Sequence, residues 1–412
     1  MKKAAVLAIA VIAAGIGTAA IGQSTGKLEI FSWWTTGGEA AGLLKDYGIF
    51  KAANPSVEII NAAVSGGAGS NAKAVLKTRM LGGDPPDSFQ VHMGHELIDT
   101  WVKSGFMENL DDVYKSENWE KVFPKGVLDL LKYQGHYYSV PSNIHRSNMM
   151  FFNTKVFSDN GLNVPKTYAQ FFDVAKKLQA KGITPLALGD NGIWASVNLF
   201  ETVLMGTLGP KAYIGLWDGK TDWNGAGVKK ALTTFSQMLG YVNTDHAARS
   251  WDQANDLVIQ GKAAMTVMGD WVDADNLAKK FKDSGWAPAP GNTGIYSALS
   301  DSFGIPKKAP HLDQAKTWVK LIGSRQGQEA FNPVKGSICA RTDCDPKLFG
   351  PYLQWATKQW KTNTVVPSLA HGAAASESWL SSISDAMSLF VTRRDVASTQ
   401  SALVQDAQDA LK

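Results

Sequence analysis

This sequence is short of cysteine. Among 412 residues only Cys339 and Cys344 occur, both in "GSICARTDCDP". Two thiols without a nearby histidine fall short of the four ligands of a structural zinc. Charge excess is also missing. Forty-one Lys and Arg face 37 Asp and Glu, and Lys2 and Lys3 supply two of the net four positive charges. Without a basic stripe, nucleic acid is excluded as a partner. Past residue 22 no apolar run is long enough to span a membrane. Repeats, low-complexity tracts and long Pro- or Ser-rich linkers are absent.

Catalytic and nucleotide signatures are missing too. No G-x-x-x-x-G-K-[ST] occurs, so the chain binds no ATP through a P-loop. "GAGSNA" (67–72) has G-x-G-x-x-A spacing between a strand and a helix. A dinucleotide site also needs an acidic residue ending the next strand. Asp84 and Asp87 precede that strand, so the glycines read as a tight turn. "HMGHE" (92–96) matches neither zincin motif. It reads as His92 at a strand end facing a cleft, with His95 on the surface. No nucleophile elbow stands out, and neither cofactor nor metal is implied.

The chain begins with a charged "MKK" and then "AAVLAIAVIAAGIGTAAIG". The Ala and Gly content and the small residues Ala20-x-Gly22 predict a signal peptide over 1–22. An uncleaved anchor is the alternative for a run of this length. The mature chain then starts near Gln23 in a periplasm, without a lipid-bearing cysteine. In that oxidising compartment Cys339 and Cys344 are expected to bridge across Ala340–Asp343.

Strands alternate with helices. "KLEIFSW", "SVEIINAAV" and "DSFQVHM" predict strands, and "SNAKAVLKTRMLGG" a helix stopped by Gly82-Gly83. In "TYAQFFDVAKKLQAKG", Thr167 and Gln170 form a capping box. "DQANDLVIQGKAAMTVMGDW" predicts helix, Gly261, then strand. "HLDQAKTWVKLIGS" and "STQSALVQDAQDALK" predict further helices. The class is α/β. Without a linker, two lobes would be joined by strand-like crossings, best placed at 137–154 and 296–306.

Fourteen tryptophans are present. Trp101, Trp318 and Trp355 sit at helix-like core positions. Trp33 and Trp34 follow a strand in "EIFSWWTTGGEA", Trp194 lies in a turn-rich stretch, and Trp251 and Trp271 adjoin Asp252 and Asp270. Indoles at strand ends beside polar residues suit a sugar, whose apolar face stacks while its hydroxyls find partners. Glu39, Asp270 and Asp301 leave two roles open. They could accept hydrogen bonds from hydroxyls, or cleave a glycosidic bond as a secreted hydrolase does.

In order, "KLEIFSWW", "KTRMLGGDPPDSFQVHMG", "YYSVPSNIHRSNMMFFNT", "NVPKTYAQFFDVAKKL" and "VIQGKAAMTVMGDW" resemble the extracellular sugar-binding proteins of ABC importers. The likeness spans nearly the whole mature chain. "VPSNIHRSN", "LSDSFGIP", "FNPVKGS" and "SLAHGA" resemble the glucose- or mannose-binding branch. The resemblance implies a two-lobe periplasmic-binding-protein fold with a hinged cleft and several crossings. It implies 23–140 and 304–338 in lobe 1, with 141–303 and 339–412 in lobe 2. It places Trp33, Trp34, Glu39, Gln90 and His92 on the first-lobe wall. Trp251, Asp301 and Lys335 would come from the second lobe and crossings, His371 from "SLAHG", and Asn143 from the hinge with His145 and Arg146. Trp271 joins the set beside Asp270. Cleft-wall side chains such as Trp34 and His92 should add few core contacts, unlike Trp318. The expected protein is a monomer without catalysis or cofactor. It closes over a monosaccharide, glucose first, and docks on ABC permease subunits at the membrane.

Overall fold

The computed structural model describes residues 26–66 and 69–412. The expected signal peptide (1–22) lies outside them, as do Gly67 and Ala68 of the glycine-rich turn.

Lys27–Phe31, Glu58–Asn61 and Ser88–His92 pair in parallel, because helices Gly37–Ala53 and Ser70–Gly82 carry the chain back between them. They form one side of a five-stranded sheet. Its order is Glu58–Asn61, Lys27–Phe31, Ser88–His92, Asp301–Gly304, Ser139–Pro141. The last two strands run antiparallel to their neighbours. They are late or returning segments of the chain, so the first lobe is closed by residues far away in sequence.

A second sheet orders Ser284–Pro288, Met149–Asn153, Ala263–Met268 and Thr184–Ala187. Ala263–Met268 is buried at every residue, as a strand apolar at all positions but Thr266 requires when covered on both faces. A third sheet lies between the lobes and orders Thr364–Pro367, Ile295–Leu299 and His145–Arg146.

Strands of different sheets follow one another within 137–154 and within 295–306, the second starting one residue before the expected stretch. One crossing passes from Ser139–Pro141 through His145–Arg146 to Met149–Asn153. The return passes from Ile295–Leu299 to Asp301–Gly304. A backbone bridge between Ile144 and Ile338 sets another segment alongside. Three segments therefore run close together where the chain passes between the sheets.

Local signals behave as their chemistry requires. Thr167 and Gln170 make both capping-box bonds, and the helix runs Tyr168–Gln179. The Ser70–Gly82 helix ends on Gly83, whose φ of +76° few other residues adopt. Trp318 is fully buried against Tyr47, Phe50 and Phe303. Cys339 and Cys344 are joined by a disulfide. No helix among the described residues is long and apolar enough to cross a membrane.

Candidate functional site

A small cavity lies where the two lobes and the crossings meet. From the first lobe it takes Trp33, Trp34, Glu39, His92 and Lys335, and from the crossings His145, Leu299 and Asp301. Trp194, Trp251, Trp271 and His371 line the remaining wall. Gln90 and Asn143 do not reach it.

The second-lobe wall has a single construction repeated three times. Helices Trp194–Leu208, Trp251–Ile259 and Trp271–Ala278 each begin with the indole that lines the cavity. Three helix starts therefore bring three indoles to one wall, while their first-turn N–H groups are largely taken up by Asp190, Ser250 and nearby carbonyls. Ile193 precedes Trp194 with φ +63°, an unusual conformation for a β-branched residue. It turns the chain so that the helix can start at the wall.

On the first-lobe wall, Gly69 permits close approach to Trp33. A Cβ there would lie 3.0 Å from the indole, and Gly69 itself has φ +101°. Gly69 thus packs directly on an aromatic ring. Trp33 is half-buried, 5.0 Å between ring centres from His92. Trp34 differs from expectation. It is 1% exposed and packs against Phe303 and Phe331, so it is core and cavity wall together. Consecutive residues point to opposite sides of extended backbone, so the pair divides between cleft and packing.

Charged groups at the site are paired. His92 Nδ1 is 2.7 Å from Glu96 Oε2, which also takes Lys73 Nζ at 2.6 Å. Burial works to raise the Glu96 carboxyl, but Lys73 and His92 outweigh it and hold it at about 2. Asp301 is opposite His92 in the antiparallel register. Gln90 Nε2 donates to its Oδ1 and Asn143 Nδ2 to its Oδ2, each at 2.8 Å. That is where the two predicted residues act: they orient a cavity carboxylate without facing the cavity. Burial raises the Asp301 pKa, but Lys335, His92 and His145 more than offset this and keep it below the ordinary value.

Lys335 also differs from expectation. It does not come from the second lobe or a crossing. It ends helix Arg325–Lys335, which packs on Gly37–Ala53 in the first lobe. Its Nζ is 3.1 Å from Glu39 Oε1 and 3.0 Å from His145 Nε2. Burial raises the Glu39 carboxyl, and Lys335 opposes the rise. His145 Nδ1 bonds Asp270, and burial followed by the Lys335 charge holds the imidazole well below its usual pKa. The ring is therefore neutral, gives Nδ1–H to Asp270 and accepts from Lys335 at Nε2. Arg146 turns away and lies over Tyr296 and Trp355.

Two polar atoms on cavity residues, Trp271 Nε1 and His371 Nε2, are buried without a hydrogen-bond partner among the described residues. Each unpaired buried group costs about 1–3 kcal/mol, which a ligand with matching hydroxyls would recover. No group of His, Cys, Asp and Glu among the described residues is arranged to hold a metal. His145 is expected in the hinge-side segment with Asn143 and Arg146, whereas Trp194 and Leu299 fall outside the predicted site set. Trp194 carried the same signal as Trp251 and Trp271, an indole opening a helix after a polar turn. Leu299 carried none.

The bacterial extracellular solute-binding protein family profile matches residues 28–329. An uncharacterized ABC transporter extracellular-binding protein of Pyrococcus horikoshii is 38% identical, covering 91% of this chain and 86% of that one. A protein of Brucella suis, named as a probable sugar-binding periplasmic protein, is 33% identical, covering 88% and 87% respectively. Among solved structures, a bacterial solute receptor with exclusive preference for β-D-galactopyranose matches with TM-score 0.83 and 20% identity. That match covers 94% of this chain and all of the other, and it establishes likeness of fold.

Proposed function

We propose that this chain, which belongs to the bacterial extracellular solute-binding protein family and is a sugar receptor of an ABC transporter, captures one unmodified hexose at a time. Glucose is the first candidate, with galactose and mannose next. The chain is a receptor and not an enzyme, so the carboxylates accept hydrogen bonds and the hydrolase alternative falls away.

One observation carries the monosaccharide reading. Five indoles and a set of paired charges surround a narrow, partly open space of only about 50 Å³. That is room for a few water molecules. The lobes must part to admit a single hexose, and an oligosaccharide would demand much more. An indole, Trp33 foremost, stacks on the apolar ring face. Asp301 and Glu39 accept from hydroxyls, and Lys335 donates to a hydroxyl or the ring oxygen. Charge-assisted hydrogen bonds make these contacts strong, and mutual pairing makes the charges tolerable in a closed cleft. The segments that resemble the glucose- or mannose-binding branch supply His145, Asp301, Lys335 and His371.

The moving bodies in this reading are the expected ones with the strand ends reassigned to the first-lobe sheet that holds them, 23–141 with 301–338, and 142–300 with 339–412. The monomer, exported after removal of 1–22, closes on sugar and presents the closed form to permease subunits. A separate ATPase supplies the energy.

Calorimetric titration with glucose, galactose, mannose and a series of disaccharides tests the proposal. Glucose should bind with micromolar affinity or better, about −8 kcal/mol, and be recovered intact after long incubation. Tight binding of a disaccharide without heat from any hexose would replace the monosaccharide reading.

A further inference from the structure

We infer that Glu201, which does not line the cavity, fixes the hydrogen-bonding polarity that His371 shows to the ligand: acting through Ser368, it leaves Nε2 as an acceptor. The relay is a property of the sugar-free protein. Its consequence for binding rests on the sugar-site reading above.

Glu201 lies in the Trp194–Leu208 helix and is fully buried. Its Oε2 accepts from the backbone N–H groups of Leu369 and Ala370. Its Oε1 is 2.8 Å from Ser368 Oγ and 3.3 Å from Ser147 Oγ. Tyr213 OH is 3.4 Å from Oε2, and nearer to Pro367 O at 3.1 Å. No cation is among these partners. Ser368 Oγ is in turn 2.7 Å from His371 Nδ1.

His371 is 4% exposed, and its Nε2 is the unpartnered atom noted above. Burial first, then its electrostatic neighbours, with the Lys73 and Lys335 ammonium groups among them, holds its pKa well below the usual value. The imidazole is neutral and has one N–H and one lone pair. Which of them lies on Nε2 depends on Ser368, whose hydroxyl has a single proton to give. With two N–H groups on Oε2, the ionised Glu201 turns Oε1 to Ser368 and can only accept. Ser368 therefore donates to Glu201 and accepts from His371 Nδ1–H. Nε2 is left with a lone pair, so the ligand must bring a hydroxyl proton to it.

Glu201→Gln reverses the chain of donors without changing its volume. The amide oxygen has to take the Leu369 and Ala370 N–H groups, so the NH₂ faces Ser368 and donates. Ser368 then donates to His371 Nδ1, and Nε2 becomes a donor.

The experiment is ¹⁵N-histidine NMR of the sugar-free exported chain, with glucose titrations in parallel. Burial pushes the Glu201 carboxyl up to about 7. Spectra are therefore recorded at about pH 8.5, where it is ionised. Wild-type His371 should carry its proton on Nδ1, and Glu201→Gln should move it to Nε2 and weaken glucose binding at least tenfold. In a Ser368→Ala background, adding Glu201→Gln should no longer change the tautomer. A wild-type proton on Nε2, or a Glu201→Gln spectrum unchanged at His371, would overturn the relay. If Glu201→Gln does not fold, the wild-type tautomer and its response to Ser368→Ala decide. If the tautomer moves as stated while glucose fails to bind wild type, the relay stands and the glucose assignment falls.

Discussion

Lys335 Nζ lies 3.0 Å from His145 Nε2, so an ammonium carried by the first lobe rests on a neutral imidazole of the crossing strand. The same ammonium lies 5.4 Å from the Trp34 ring centre and 5.9 Å from that of Trp271. One cation thus links both lobes and a crossing, and its other partner, Glu39, also lines the cavity.

Replacing Lys335 should therefore harm binding more than loss of the one proposed hydrogen bond to sugar suggests. Lys335→Met leaves His145 Nε2 and Glu39 unpaired while keeping the aliphatic stem. Glucose affinity should fall at least tenfold, about 1.4 kcal/mol. Calorimetry reading an unchanged affinity would remove Lys335 from the site.

The three tryptophans should separate into three behaviours. Trp33→Ala should weaken glucose binding by tenfold or more and barely move the sugar-free melting temperature, because Trp33 is half-buried at the cavity. Trp34→Ala should do both, losing about 3–5 kcal/mol of stability as buried aromatic truncations do. Trp318→Ala should cost stability alone, since it packs only in the core. Paired thermal melts and titrations read both effects. Normal glucose binding by Trp33→Ala would contradict the stacking role.

Glu96 gives a pH signature. Its folded pKa of about 2 lies below the ordinary 4.5. The unfolded chain takes the proton first as pH falls. The carboxylate's contribution is therefore complete above about pH 4.5 and is lost between there and pH 2, up to about 3 kcal/mol. The stability gap between wild type and Glu96→Gln should be widest at neutral pH and close as pH drops through that window. Denaturant titrations across the range measure it, and a gap independent of pH would show that the Lys73–Glu96–His92 cluster does not stabilise the fold.

Closure has its own test at Ala274. A Cβ added to Gly38 or to Gly336 would lie 2.8 Å from the Ala274 Cβ. At Ala274 the Trp271–Ala278 helix thus meets Gly38 and Gly336 in a close approach of small residues. Ala274→Leu leaves no room for that approach. Glucose affinity should drop at least tenfold, and X-ray scattering should show the variant failing to contract in saturating glucose. Wild-type contraction by Ala274→Leu would mean that closure does not use this contact.

The sequence by itself determined the elements and the residue types of the site. Alternation of apolar runs with capped helices specified α/β, since capping at Thr167 and termination at Gly83 are local chemistry. Indoles beside polar residues marked Trp33, Trp251 and Trp271, because an exposed indole needs a reason to be there. Only the tertiary structure decided what each polar residue faces. Gln90 alternates with its strand neighbours toward Asp301, 211 positions away, and no local pattern records that pairing. The side of the cleft that holds Lys335 was set by packing of its helix on Gly37–Ala53. The division of Trp34 from Trp33 was set by Phe303 and Phe331. Glu201 gave no sequence signal at all. A lone carboxylate in an apolar helix becomes meaningful only when the turn at 368–371, brought back by the last strand of the hinge sheet, closes its backbone donors over it.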